Sequence, residues 1–250
     1  MRMSKANEKF EIRVEPVSEE AIVIRIADEI RPEMPGWIRA LRNRVSSEFG
    51  PVIVDQVPSY GALMIHYRVA RENLAKRVED LRSLCAGVLS SLQKKGMSGE
   101  ASPVIEIPVC YDSEFALDMS VVADLTGLEP REIIERHHSV TYQVYALGFS
   151  PGFAYLGEVD PAIRVQRLKT PRLRIPAGSV GIAEAQTGIY PSDSPAGWRI
   201  IGRTPMPMFD SEWTRPNRLE VGERVRFVPL SWHEFHDWSG GETPSKGGGS

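Results

Sequence analysis

Apolar positions in the first hundred residues change period repeatedly, and each change predicts an element. Phe10 to Val14 and Ala21 to Ile26 are short runs rich in β-branched residues, which predict two strands. After Pro32 and Pro35, the residues Trp37, Ile38, Leu41 and Val45 fall on one face of a helix. Val52 to Val57 and Ala62 to Tyr67 then flank Pro58-Ser-Tyr-Gly61 and predict a hairpin. From Arg71 to Gln93, Leu74, Val78, Leu81, Cys85, Val88 and Leu92 recur at steps of four and three, the mark of an amphipathic helix. The order ββαββα predicts an α+β sandwich with helices on one face of a small sheet. Its helical stripes read as core, and this half carries no chemical signature.

Lys94 to Ser102 is polar and glycine-containing, so a small α+β domain is predicted over residues 1–100. Val104 to Val109 reads as a strand. Asp118 to Leu125 and Pro130 to His137 read as two short helices joined at Gly127, with Asp118 placed to cap the first and Pro130 in the first turn of the second. Beyond Tyr142 the period is that of strands: Tyr142 to Leu147, Val180 to Ala183, Trp198 to Arg203 and Arg224 to Val228. Short strands between proline-rich loops predict a barrel or sandwich over residues 101–232. Residues 233–250, ending Gly-Gly-Gly-Ser, read as a disordered tail.

Composition narrows the function classes. A 42% hydrophobic and 25% charged content is that of a soluble globular protein. A net charge of −3 with both signs dispersed offers no nucleic-acid footprint. No apolar run approaches the roughly 20 residues that span a bilayer, and Met1 to Glu11 lacks the apolar segment of a signal peptide. Cys85 and Cys110 are the only cysteines, which suits two buried thiols in a reducing cytoplasm.

The chemistry is concentrated between Tyr145 and Arg203. Four motifs follow one another: Gly148-Phe-Ser-Pro-Gly-Phe-Ala-Tyr-Leu-Gly157, Arg174-Ile-Pro-Ala-Gly-Ser179, Gln186-Thr-Gly-Ile-Tyr-Pro191 and Gly197-Trp-Arg-Ile-Ile-Gly-Arg-Thr-Pro205. Glycines and prolines fix such loops, and aromatics and arginines stand between them. No Gly-x-Ser-x-Gly elbow surrounds Ser150, Ser179 or Ser194, and there is no Walker-type phosphate loop. His233, His236 and Asp237 have metal-ligand chemistry but no second cluster, so they read as tail and no metal is expected.

These motifs, with Glu106-Ile-Pro-Val-Cys-Tyr111 and the segment from Thr126 to His137, closely resemble the KipI-like family. It is also called allophanate hydrolase subunit 1, or the B subunit (PxpB) of bacterial ATP-dependent 5-oxoprolinase. The resemblance spans residues 10 to 230. It implies an α+β N-terminal domain followed by a cyclophilin-like β-barrel. It also implies a KipA-like partner (the 5-oxoprolinase C subunit), a LamB/YcsF-like component in the same system, and ATP held with the partner's help. Members include an inhibitor of a sporulation histidine kinase, and the fused pair resembles the carboxyltransferase part of biotin-dependent urea carboxylases.

In the picture the resemblance gives, Arg203 holds an anionic group, Gln186 and Thr187 orient a lactam carbonyl, and His137 moves a proton. Arg174 adds a second guanidinium, and Gly188 and Tyr190 offer backbone approach and a hydroxyl. Phe149, Phe153, Tyr155 and Trp198 form either an apolar wall or barrel core. His137 has a second reading as a helix-end cap. Arg172, Arg174, Arg199 and Arg203 have a second reading as an exterior barrel face, which suits Arg199 best. His138 reads as solvated. The chain departs from the family at Glu184-Ala185, where Gly-Gly is frequent, at Ala154 in place of proline, and at Asp193 in Pro191-Ser-Asp-Ser-Pro-Ala-Gly197. The new carboxylates Glu184 and Asp193 either shift preference or are surface drift.

Overall fold

The computed structural model describes residues 12–26, 31–68, 74–95 and 103–238. The chain folds as two compact units, Met1–Ala101 and Ser102–Ser250. Phe10 and the start of the long helix at Arg71 lie outside the described residues, as does the tail from Ser239.

In the first unit β1 (Arg13–Pro16), β2 (Ala21–Arg25), β3 (Ile53–Ser59) and β4 (Ala62–Tyr67) form an antiparallel sheet of order β1-β2-β4-β3. Ser59 pairs with Ala62, so Tyr60-Gly61 is the two-residue hairpin turn. Ile22 pairs with Ile65 and Ile24 with Leu63, and all four are buried. They lie under α1 (Met34–Phe49) and α2 (Leu74–Lys95), whose buried stripes include Ile38, Leu41, Val45, Val78, Leu81 and Cys85. Trp37, expected on that stripe, is only partly buried.

The second unit is a closed barrel. β5 (Val104–Cys110) leads to α3 (Met119–Thr126) and α4 (Pro130–His138), then β6 (Thr141–Leu147) and β7 (Ala154–Gly157). β8 (Arg172–Ile175), β9 (Ser179–Ala183), β10 (Gln186–Ile189), β11 (Ser194–Ala196), β12 (Arg199–Arg203) and β13 (Arg224–Leu230) follow. Seven strands close in the order β10-β7-β6-β13-β5-β12-β9, and β8 and β11 pair outside the barrel. The β13–β5 pair is parallel, seven residues in register from Arg224 opposite Val104 to Leu230 opposite Cys110. Full closure removes the sheet edges on which other chains could add. The expected α+β domain and barrel are both present.

Two expectations fail on local structure. Asp118 precedes α3 but its side chain makes no cap bond. It is buried instead, and Gly127 ends the helix in the left-handed region (φ 70°). Residues 233–236, expected in the tail, belong to α5 (Trp232–His236). Ser231 accepts from the Glu234 amide while the Glu234 carboxylate returns to the Ser231 amide. Phe235 then packs on Phe115 with ring centroids 4.3 Å apart, which keeps the helix against the barrel.

Candidate functional site

Strand register shows which motif residues share an end of the barrel. Ile189 pairs with both Ala154 and Val180, and Ser179 pairs with Arg203. The β6–β7 loop, the β8–β9 turn, the β10–β11 loop and the segment after β12 therefore meet. Gly178 makes the meeting possible. Its φ is 83°, and a Cβ there would lie 2.1 Å from the Thr204 carbonyl oxygen. Its own amide donates to the Tyr190 carbonyl at 2.7 Å and its carbonyl accepts from the Thr204 amide at 2.9 Å. Gly152 has the same function on the other side, with φ 86° and no room for a Cβ beside Phe209, Met208 and Pro191.

On this end lies a cluster of charged groups. The Asp193 carboxylate accepts from Arg174 Nε (3.0 Å) and Nη2 (2.5 Å) through Oδ2, and from the Ala177 amide (2.8 Å) through Oδ1. Arg174 holds its carboxyl below the usual carboxylate range, helped by the Ala177 amide and by the charge of Arg203. Arg203 donates from Nε to the Ala177 carbonyl at 2.8 Å. Its guanidinium lies 5.9 Å from the Phe115 ring centroid and 5.7 Å from that of Phe235. Arg174 and Arg203 thus approach one turn from two strands. Phe149 stands on the same barrel end, 62% exposed and at φ 70°, a left-handed conformation unusual for a bulky residue.

The other expected aromatics are core. Phe153, Tyr190 and Trp198 are 2–4% exposed and pack edge-to-face, with Phe153 5.1 Å from Tyr190 and 5.6 Å from Trp198. Together with Ile175, Ala183, Ala196 and Ile200 they form one buried cluster, against which Tyr155 packs. A ligand cannot reach Gly188 either, because Phe153 and Trp198 cover it at 3.1 and 3.2 Å from an ideal Cβ. For Phe153 and Trp198 this settles on barrel core and against an apolar wall facing a substrate, and it corrects the expectation that Gly188 and Tyr190 are open to one. They are the packed floor beneath Phe149, which touches Phe153 and Tyr190 edge-on.

His137 is also interior. It is fully buried, with Nδ1 2.8 Å from the Tyr111 hydroxyl and Nε2 2.9 Å from the Thr187 hydroxyl. Thr187, equally buried, gives its one proton to the Gly181 carbonyl at 3.0 Å, so it accepts from His137. That fixes the tautomer: Nε2 carries the hydrogen and Nδ1 accepts from Tyr111. The ring stacks on Phe227 at 4.6 Å and thus ties β10 to elements across the barrel. Burial pushes its pKa down to about 3. With no surface and both nitrogens engaged, His137 and Thr187 are a buried polar tie rather than a proton-moving pair.

Two further corrections concern placement. Gln186 is only partly buried, but it opens β10 at the end away from Tyr190. Four residues of strand put it roughly 13 Å from the arginine turn, so the structure does not bring Gln186 and Arg203 together. Arg199, read as surface, has an 18% exposed side chain 3.6 Å from Asp118. Arg172 grips that same carboxylate with two bonds of 2.8 Å, and the Ile200 amide adds a third at 2.7 Å. Asp118 is thus the anchor of β8 and β12. Sequence reading missed it because Arg172 lies 54 positions away. His138, read as solvated, pairs with Glu135 at 3.0 Å. Glu184 occupies the β9–β10 turn at φ 55°, in the left-handed region that glycine enters most readily. Cys85 and Cys110 are buried free thiols, and burial raises them to about 12 and about 11. Among the described residues no helix is long and apolar enough to cross a membrane, and no three metal-ligating side chains converge.

Residues 12–219 match the sequence model of the carboxyltransferase domain, subdomain C and D. The chain is 34% identical over 228 residues to the 5-oxoprolinase B subunit of Bacillus subtilis, covering 90% of this chain and 95% of that protein. It is 42% identical over 161 residues to the 5-oxoprolinase B subunit of Escherichia coli O157:H7, covering 63% and 74% of the two chains. The solved structure of TTHA0988 superposes on it with a TM-score of 0.73 at 34% identity, covering 90% of this chain. The chain spans 41% of the length of TTHA0988. Motifs, barrel and relatives agree, and the chain belongs to the family of the carboxyltransferase domain, subdomain C and D, with the 5-oxoprolinase B subunits as its relatives.

Proposed function

We propose that this chain is the B subunit of an ATP-dependent 5-oxoprolinase and forms its active site together with a KipA-like partner. The reaction opens the lactam of 5-oxo-L-proline to L-glutamate. ATP transfers its γ-phosphoryl group to the lactam oxygen and leaves as ADP, which activates the carbonyl carbon; water adds there, the ring C–N bond breaks as the nitrogen takes up a proton, and a second water releases phosphate from the acyl phosphate so formed. Electrostatic stabilisation of such an oxyanion is usually the largest catalytic effect.

The observation that supports this reading is the arginine turn. Arg174, through Asp193, and Arg203 converge on Ala177 at the end of the barrel where the four family motifs meet, the end that also carries the exposed ring of Phe149. A guanidinium fork suits the carboxylate of 5-oxoproline or a transferred phosphoryl group. The family histidine is sealed in the core and is not available to move a proton; in this proposal the partner supplies that group and the nucleotide site. A LamB/YcsF-like component completes the system.

The test uses the complex of this chain with its KipA-like partner. Arg203→Ala is expected to raise the KM for 5-oxoproline or ATP at least about tenfold, the loss of a charge-assisted bond. Unchanged KM and turnover would remove Arg203 from the site.

A further inference from the structure

The arginine turn is a complete oxyanion cradle that the chain fills with its own side chain. Two N–H groups of Arg174 and the amide of Ala177 converge on Asp193, and Arg203 adds its charge from β12 of the barrel. A carboxylate held by a planar fork and a backbone amide is what a bound carboxylate or phosphate ligand would look like. We propose that Asp193 is an internal stand-in for an anionic ligand: it occupies the Arg174–Ala177 cradle in the resting chain and must be displaced when that ligand binds. This rests on the reading of the arginine turn as part of the 5-oxoprolinase site.

Three features support displacement over a purely structural ion pair. Arg174 is 76% exposed and Asp193 44% exposed, so solvent anions reach the cradle. An exposed pair of this kind contributes little to stability, so the fold does not depend on it. Asp193 also sits in the loop between β10 and β11, next to Ser192 and Pro191, rather than within a barrel strand. The contrast with Asp118 is instructive. That carboxylate, 2% exposed and bonded to Arg172 and the Ile200 amide, is a fixed structural anchor.

A tethered carboxylate competes at an effective concentration of roughly millimolar or above. Removing it therefore raises apparent affinity for free anions without any new contact. The specificity consequence is direct, because only an oxyanion that outcompetes Asp193 is retained.

The experiment is isothermal titration of the purified full chain with inorganic phosphate and, separately, with propionate. Asp193→Asn and Asp193→Ala are expected to bind at least one of the two anions about tenfold more tightly than the unmodified chain, with little change in Tm. Adding Arg174→Gln to Asp193→Asn is expected to abolish the gain. Which anion gains tells a phosphoryl ligand from a carboxylate ligand. Failure of both variants to gain affinity for either anion overturns the proposal, as does a gain that survives loss of Arg174. The readout is binding to this chain alone, so absence of 5-oxoproline turnover in the complex leaves this result intact, and the reverse holds equally.

Discussion

Replacing His137 with glutamine tests the interior of the barrel through a pH dependence that the structure determines. At pH 7 the variant loses the geometry of two buried hydrogen bonds and the stacking on Phe227. At about 1 kcal/mol per bond plus a similar packing loss, the cost is about 3 kcal/mol. The unmodified chain carries an additional liability in acid. Its native His137 pKa lies near 3 against an ordinary 6.5, so between these values the unfolded chain binds a proton that the folded chain refuses. Stability from this group is therefore complete above the unfolded pKa and falls as pH decreases toward the folded one. The slope approaches 1.4 kcal/mol per pH unit, and the loss between pH 7 and 4.5 is about 2 to 3 kcal/mol. His137→Gln does not share that loss, while all carboxylate titrations are common to both proteins and cancel. Urea unfolding at the two pH values should show most of the roughly 3 kcal/mol gap closing by pH 4.5. A gap unchanged by pH would mean that His137 titrates normally, and the interior assignment would be refuted.

Three other substitutions have definite signs. Asp118→Ala leaves Arg172, Arg199 and the Ile200 amide facing a vacated buried position, and should cost about 4 kcal/mol in urea unfolding; a loss under about 1 kcal/mol would contradict its anchoring role. Gly178→Ala sets a methyl against the Thr204 carbonyl at a positive φ and should lower stability by at least ~2 kcal/mol, seen as a lower Tm. Glu184→Gly removes a left-handed non-glycine residue and should raise stability by about 1 kcal/mol, with an unchanged or lower Tm counting against strain at that turn.

What the sequence made legible follows from the range of the forces involved. The first unit was readable because each element is long enough to show its period, as in the repeat from Leu74 to Cys85 on α2. β7, β8, β10 and β11 are three or four residues each, and three of them contain glycine or proline, so no period develops. The motifs picked out loops that meet at one end of the barrel but not which of their side chains are core, since motif aromatics such as Phe153 and Trp198 serve packing as readily as binding. His137 carried a usable signal: it stands four residues after buried Ile133, on the same face of α4. Asp118 carried none, because its meaning depends on arginines brought to it only by the closed barrel. Asp193 was visible as a departure, and its partners were supplied by the turn at Gly178.

The most direct measurement is turnover by the reconstituted system. This chain and the proposed KipA-like partner, mixed with the proposed LamB/YcsF-like component and ATP, should release glutamate and ADP together in the presence of 5-oxo-L-proline. Omission of this chain should abolish glutamate formation, and this chain alone should form none. Full lactam opening by the isolated chain would contradict the shared site, and a stable complex that binds ATP yet leaves 5-oxoproline intact would contradict the reaction itself.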